Sequence, residues 1–355
     1  MTPSIYYSNN YSFKNEIDSI FINSWLFFGF KSEFNEKIVI NKSIVDYPIF
    51  LYKHEDNFIG YFNVCPHRGS KLVNENNYTG SKKTILCPYH SWAFDLESGN
   101  STNVKEDELI NPTCTSLKKI SVDVIGDFIF IKLSKKNQIS LNKYLGKKIS
   151  SELRIASELL DFTKISSKNI LHSCNWKHIV ENVIDNKHCA PVHRDTLSKL
   201  GFCKNKPITE LFDLHSQFII DPGFIENAQK RKRLLTKLYN DNDIVDYYKH
   251  ILIFPNLTIS IFEGVHYTIG YINPLDTNKS SYETKYLRPK IKDDNISNAI
   301  EQSHVQTAID IFNEDVIMLN SLEDNLDKIG LRGELYKDEI RIEHFMKNYL
   351  NHLIN

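Results

Sequence analysis

Two short segments carry matched metal ligands. "CPHRG" at 65–69 offers Cys65 and His67, and "CPYHSW" at 87–92 offers Cys87 and His90. Thiolate and imidazole are soft-to-borderline ligands that suit zinc, copper or iron–sulfur clusters. Structural zinc takes pairs usually separated by about two to four residues, so the one residue between Cys65 and His67 is tight for a single tetrahedral ion. A binuclear [2Fe–2S] centre with two cysteines on one iron and two histidines on the other takes one ligand of each kind from each segment. Both segments meet that requirement. Pro66 and Pro88 stiffen the chain after each cysteine, Gly69 permits a tight turn, and Trp92 can cover the centre from solvent.

A second constellation lies in "ENVIDNKHCAPVHRD", residues 181–195. On a helix, Asp185 and His188 would share a face, being three positions apart. His193 would point away unless the helix breaks, and Pro191 supplies a break. Two histidines with open positions are the start of a two-histidine, one-carboxylate site for mononuclear Fe(II). The carboxylate is expected from a long helix over 294–329, where Val305, Ile309, Phe312, Val316, Leu319, Leu322 and Leu326 form an apolar stripe and Gly330 is the stop. At about 100° per residue, Asp315 falls on the flank of that stripe, Glu314 and Asp310 point away, and Glu323 also lies close to it. Geometry leaves Asp315 and Glu323 open.

The strings CPHRGxxL and CPYHSWxFD resemble the Rieske motif of the ring-hydroxylating and related non-haem iron oxygenases. NWKxxxENxxDxxHxxxxH, from Asn175 to His193, resembles the iron-site motif of the same family, and "NEDVIMLN" resembles its late motif, whose aspartate is a ligand. The resemblance implies a Rieske cluster on Cys65, His67, Cys87 and His90, and Fe(II) on His188, His193 and Asp315. Asp185 would link the cluster histidine His90 of one subunit to His188 of the next, which implies a head-to-tail homotrimer, and Asn182 matches a polar position near the iron. Electrons would come from NAD(P)H through a reductase or ferredoxin, to act with O2 on a small-molecule substrate. Respiratory Rieske proteins carry a further cysteine in each loop; Ser70 and Tyr89 stand there, so no disulfide brace is available and a low potential with few hydrogen bonds to the cluster is expected. The opening segment looks like the choline-monooxygenase and aromatic-dioxygenase branches. Monohydroxylation or N- or O-dealkylation is the first expectation, arene cis-dihydroxylation the second, and pure electron transfer a reading from another class. Phe254, Tyr267 and Tyr271 are candidates for an aromatic cage around a quaternary amine.

The elements that must position these residues follow from pattern. With 355 residues, 41% hydrophobic and 25% charged, the chain is long enough for two domains. A formal net charge of −1 gives no reason to expect nucleic-acid or membrane binding. The start lacks a basic region followed by an apolar core, and no apolar stretch is long enough to span a bilayer, so a cytoplasmic protein is expected. Cys114, Cys174, Cys189 and Cys203 are read as packing residues in a reducing compartment.

The fold class is α+β, a small all-β Rieske domain inserted in a catalytic domain of antiparallel sheet packed with helices. The division is 1–37, an N-terminal helical part; 38–140, the Rieske domain; and 141–355, the catalytic domain. Runs such as "EKIVI", "PIFLYKH", "FIGYFNV" and "DFIFIKL" read as strands, 175–188 as a helix, and 251–274 as strands with a hairpin turn at Glu263-Gly264. The stretch 195–250 carries no motif.

Overall fold

The computed structural model describes residues 5–8, 10–74, 80–81, 83–110, 114–136, 139–221, 232–233, 235–237, 239, 244–245, 247–290, 295–322 and 334–354. The chain forms two compact units, one of Ile22–Ser157 and one of Met1–Phe21 with Glu158–Asn355.

In the Ile22–Ser157 unit, β1 (Leu26–Phe30), β2 (Val39–Ile44), β3 (Tyr47–His54) and β4 (Asn57–Phe62) are joined by β8 (Lys119–Ile125) and β9 (Phe128–Lys132). They make a six-stranded antiparallel sheet ordered β1-β9-β8-β4-β3-β2. A smaller sheet holds β5 (Gly80–Ser81), β6 (Thr84–Leu86) and β7 (Ala93–Asp95). "LFFGF" is strand β1, paired with β9, and its Phe27 and Phe30 meet Phe130 and Phe128 edge to face. The change from helix to strand therefore falls before residue 38. Tertiary pairing overrides a helical pattern there. Cys65, Cys87, Leu72, Ile85 and Phe94 share one buried cluster, which anchors both metal-ligand loops.

The other unit begins with α1 (Ile5–Ser8) and α2 (Asn10–Glu16). Its sheet has seven antiparallel strands, β10 (Ser166–His172), β11 (Ile208–Leu211), β12 (Ser216–Ile220), β13 (Tyr248–Ile253), β14 (Leu257–Phe262), β15 (His266–Asp276) and β16 (Lys279–Leu287), ordered β10-β16-β15-β14-β13-β12-β11. The expected hairpin is present: Phe262 pairs with His266 across a turn in which Glu263 and Gly264 have φ of 55° and 78°. Helix α3 (Leu141–Leu159) lies almost wholly in the Ile22–Ser157 unit; the present unit has α4 (Trp176–Ile184), α5 (Cys189–Val192), α6 (Asn295–Leu319) and α7 (Ile340–Ile354).

Helix α6 ends at Leu319, short of the expected span; Glu323, Leu326 and Gly330 lie outside the described residues. The sequence reading had no counterpart of α7, whose Phe345 and Tyr349 are buried.

The "NWK" string builds α4. Asn175 caps it by accepting the Lys177 N–H at 3.0 Å, and its amide donates to the Thr277 carbonyl at 2.8 Å. Trp176 and Lys177 are fully buried and both bind Glu16: Trp176 Nε1 donates to Oε2 at 2.7 Å, and Lys177 Nζ to Oε1 at 2.6 Å. Tyr349 of α7 donates to the same Oε1 at 2.6 Å, and the Lys177 ammonium lies 5.2 Å from the Tyr349 ring centroid. The pair is thus enclosed by partners that satisfy both charges.

Cys189 and Cys203 form a disulfide. This corrects their reading as packing residues: sequence distance hid the approach of two cysteines 14 positions apart.

Candidate metal centres and active-site cavity

The two cysteine-histidine loops share one backbone design. Cys65 N–H donates to Ser70 O at 2.8 Å and Gly69 N–H returns to Cys65 O at 2.9 Å. In the second loop Cys87 N–H donates to Trp92 O at 2.8 Å and Ser91 N–H returns to Cys87 O at 3.0 Å. The fifth residue of each loop is left-handed, Gly69 at φ 76° and Ser91 at φ 57°. Glycine adopts that conformation freely, whereas serine carries strain.

Both cysteines are buried, and the His67 and His90 rings lie 4.6 Å apart between centroids. Trp92 stacks on His67 at 4.8 Å and 7°, as a cover for that side.

The sulfurs are surrounded by donors. Burial pushes the Cys65 thiol up to about 11, against the N–H groups of His67 and Arg68. At Cys87 burial works the same way but is outweighed by the Tyr89 and His90 N–H groups, the Cys65 thiol and the Ser70 hydroxyl, which hold its pKa down. The N–H donors at both cysteines would suit thiolate ligands, so the residues fit a [2Fe–2S] cluster. Ser70, which stands where a bracing cysteine would, donates its hydroxyl to Lys71 O at 3.4 Å.

In the other unit the donor atoms of His188, His193 and Asp315 all lie within 4.8 Å of one another. Asp315 Oδ1 sits 3.2 Å from His193 Nε2 and 3.5 Å from His188 Nε2, yet it is buried with no hydrogen-bond partner. A buried carboxylate oxygen facing two imidazole nitrogens, without a bond to either, fits a divalent cation between them.

The far nitrogens are held too: His188 Nδ1 lies 2.9 Å from Asp185 Oδ2, and His193 Nδ1 lies 2.8 Å from Glu314 Oε2. Thr196 Oγ1 donates to the same Glu314 oxygen at 2.6 Å. Burial alone would lower the His193 pKa, but Asp315 and Glu314 outweigh it and raise it.

Sequence geometry is corrected at four points. Helix α4 ends at Ile184, and Asp185 is extended at φ −78° and ψ 146°. Its carboxylate captures the N–H groups of Lys187 at 2.7 Å and His188 at 3.1 Å, so a side-chain turn, not a helix face, brings it to His188. The break precedes Pro191, which lies inside α5. On α6 the buried positions are His304, Ala308, Asp315 and Leu319, so Asp315 lies at the centre of the buried face. Glu314, read as pointing away, reaches His193 with its longer side chain.

A cavity opens beside this cluster and encloses roughly 680 Å³ of space, solvent at its mouth included. Asn182 lines it, with its amide nitrogen buried and unpartnered. Aromatic walls come from Phe202, Phe218, Tyr248, Phe262, Tyr282 and Phe312. Phe254, Tyr267 and Tyr271 are not among the lining residues. Alternation on β15 explains this for the tyrosines: Thr268 faces the cavity, so Tyr267 belongs to the opposite face, and Tyr271 donates to Glu283 at 2.6 Å. Phe254 packs on His352.

Two Cys-His loops on a small β domain, and a two-histidine, one-aspartate cluster beside an antiparallel sheet, are the parts of an oxygen-using Rieske enzyme. The chain belongs to the ring-hydroxylating alpha-subunit family: the catalytic-domain model matches residues 159–354, and the Rieske [2Fe-2S] domain model matches 24–113. It is therefore an oxidoreductase that incorporates O2, with a Rieske cluster and mononuclear iron as cofactors and a reductase as electron source.

The carnitine monooxygenase oxygenase subunit of Escherichia coli (strain K12) is 24% identical over 341 residues, covering 94% of this chain and 86% of its own. A quaternary ammonium Rieske monooxygenase in complex with γ-butyrobetaine superposes with a TM-score of 0.75 at 20% identity, covering 99% and 94% of the two chains. Naphthalene 1,2-dioxygenase from Rhodococcus sp. gives 0.76 at 18%, with the same coverage. These two structural likenesses establish the fold. No described helix is long and apolar enough to cross a membrane.

Proposed function

We propose that this oxygenase monohydroxylates a small organic substrate, in the first place a quaternary ammonium compound, by hydroxylation or oxidative N-dealkylation. The observation that carries this reading is the aromatic cavity beside His188, His193 and Asp315. Aromatic faces attract a quaternary ammonium, which offers no hydrogen-bond donor to a polar site. Similarity to the carnitine monooxygenase subunit supports the same substrate class.

In this proposal Cys65 and Cys87 bind one iron of the cluster, and His67 and His90 the other. His188, His193 and Asp315 would hold Fe(II). Iron bound there supplies O2 activation with electrons delivered through the cluster. The protein's own groups orient and exclude: Asp185 fixes the His188 ring, the aromatic walls keep water from the substrate, and Asn182 presents its amide to the cavity. A division into an N-terminal helical part, a Rieske domain and a catalytic domain is proposed, with the Rieske domain following the compact unit Ile22–Ser157 in place of the bounds 38–140. A homotrimer is proposed, with Asp185 of one subunit meeting His90 of the next, in the cytoplasm where a reductase draws on NAD(P)H.

The test is turnover of the holoenzyme with a reductase, ¹⁸O₂ and γ-butyrobetaine. One labelled oxygen per product molecule supports the reading. A cis-diol from an arene carrying both atoms, with no turnover of any amine or ether, replaces it with dihydroxylation. His188→Ala is expected to abolish product while leaving the cluster spectrum intact.

A further inference from the structure

One wall of the cavity holds polar atoms that the iron site does not use. Phe218, His250, Ser260 and Thr268 stand in one register row across β12, β13, β14 and β15, and all four line the cavity. His250 Nε2 and Thr268 Oγ1 are buried without a hydrogen-bond partner. Ser260 Oγ between them is engaged with Tyr248 OH at 3.1 Å. Buried polar atoms left open on a cavity wall are the pattern of a ligand's hydrogen-bonding groups.

The protonation of His250 follows from its neighbour. Arg341 of α7 is 3% exposed, and both its terminal nitrogens lie 3.3 Å from His250 Nδ1. A guanidinium only donates, so Nδ1 accepts and the ring proton sits on Nε2. His250 therefore offers an N–H with no acceptor among the described residues.

The other contacts of Arg341 are Ser216 Oγ at 3.0 Å, Ser216 O at 3.2 Å and the face of Phe218. Among the described residues no carboxylate pairs with it. A buried cation without an anion is costly, and its field favours negative charge just beyond the histidine.

We propose that His250 Nε2–H and Thr268 Oγ1 form a subsite for an anionic oxygen group, a carboxylate, on the substrate, with Arg341 as the positioning residue that sets the imidazole tautomer and supplies positive charge. The inference rests on the cavity being the substrate site and narrows the substrate to a compound that carries a carboxylate. A quaternary ammonium alcohol such as choline lacks the group this wall recognises.

The experiment is calorimetric binding, without O2, to holoenzyme loaded with cluster and iron. The probes are γ-butyrobetaine, choline, and the isostere of γ-butyrobetaine in which a tert-butyl group replaces trimethylammonium. A hydrogen bond to a charged group is worth about ten- to a hundredfold in affinity. His250→Phe is expected to weaken both carboxylate probes by that factor and to leave choline where it was. His250→Gln, which restores a donor, is expected to recover most of the loss. Thr268→Val, close in shape, is expected to weaken the carboxylate probes several-fold and serves if His250→Phe does not fold.

Carboxylate probes that bind all variants alike overturn the subsite, as does choline binding the wild type as tightly as γ-butyrobetaine. If the isostere binds as well as γ-butyrobetaine and depends on His250, the subsite stands and the quaternary-ammonium reading falls.

Discussion

His193 is held from both ends: Nδ1 lies 2.8 Å from Glu314 Oε2, while Nε2 faces Asp315 Oδ1 at 3.2 Å, so two consecutive residues of one helix grip opposite sides of the same ring. Thr196 completes the arrangement by donating to Glu314. Partners of this kind fix the tautomer and angle of a ligating imidazole.

Replacing Glu314 with Ala is expected to weaken iron retention by about 10- to 100-fold while the cluster stays intact. Dialysis against a graded chelator, with iron and sulfide counted separately, measures both. Equal iron retention in wild type and variant would show that Asp315 and the histidines suffice.

Asp185 is predicted to matter in a different way. Asp185→Asn keeps an acceptor for His188 Nδ1 but removes the charge, so iron should remain while turnover falls by about 10- to 100-fold. Stopped-flow oxidation of the prereduced enzyme with substrate separates the two effects. A variant that oxidises its cluster at the wild-type rate would argue against any part for Asp185 in the electron route.

The hydroxyl of Ser70 bears on the redox potential. In the structure that hydroxyl donates to Lys71 O at 3.4 Å; if it turns to a cluster sulfur when the cluster is bound it would stabilise the reduced, more negative state, and Ser70→Ala would then lower the midpoint potential by roughly 20–60 mV. Spectroelectrochemical titration reads the shift. A rise would reverse the sign of this assignment.

Lys177→Met leaves Glu16 buried with its remaining donors, Trp176 Nε1 and Tyr349 OH. Breaking one side of a buried pair is expected to cost about 3–5 kcal/mol. The denaturation midpoint should fall, and pairing the change with Glu16→Gln should recover part of the loss. Independent, additive effects of the two substitutions would mean that the pair contributes nothing as a pair.

What the sequence disclosed was local. Cys65, His67, Cys87 and His90 declare themselves because each loop is a self-closing turn with its ligands a few residues apart. His188 and His193 were legible for the same reason. Helical projection left Asp315 tied with Glu323, and the resemblance of "NEDVIMLN" to the late motif pointed to Asp315, which lies on the buried face of α6. Glu314 was set aside because a helical projection gives the direction of a Cβ and not the reach of a glutamate. The cavity rings of Phe218, Tyr248 and Phe262 come from strands with no motif and meet through cross-strand packing, and Phe202 joins them from a turn. The approach of Arg341 to His250 spans 91 residues, and no periodicity encodes it.

The Cys189–Cys203 bond has a consequence for the metal. It closes a ring of chain that starts beside His188 and contains His193 and Thr196. Two imidazole donors carried on or next to a covalent ring behave as a macrocyclic chelator, in which one arm cannot swing free without dragging the other. With the ring closed, the segment carrying His193 and Thr196 is tethered at Cys189 and Cys203, so iron exchange should be slower than in the reduced chain, where His188 and His193 are joined only by the backbone between them.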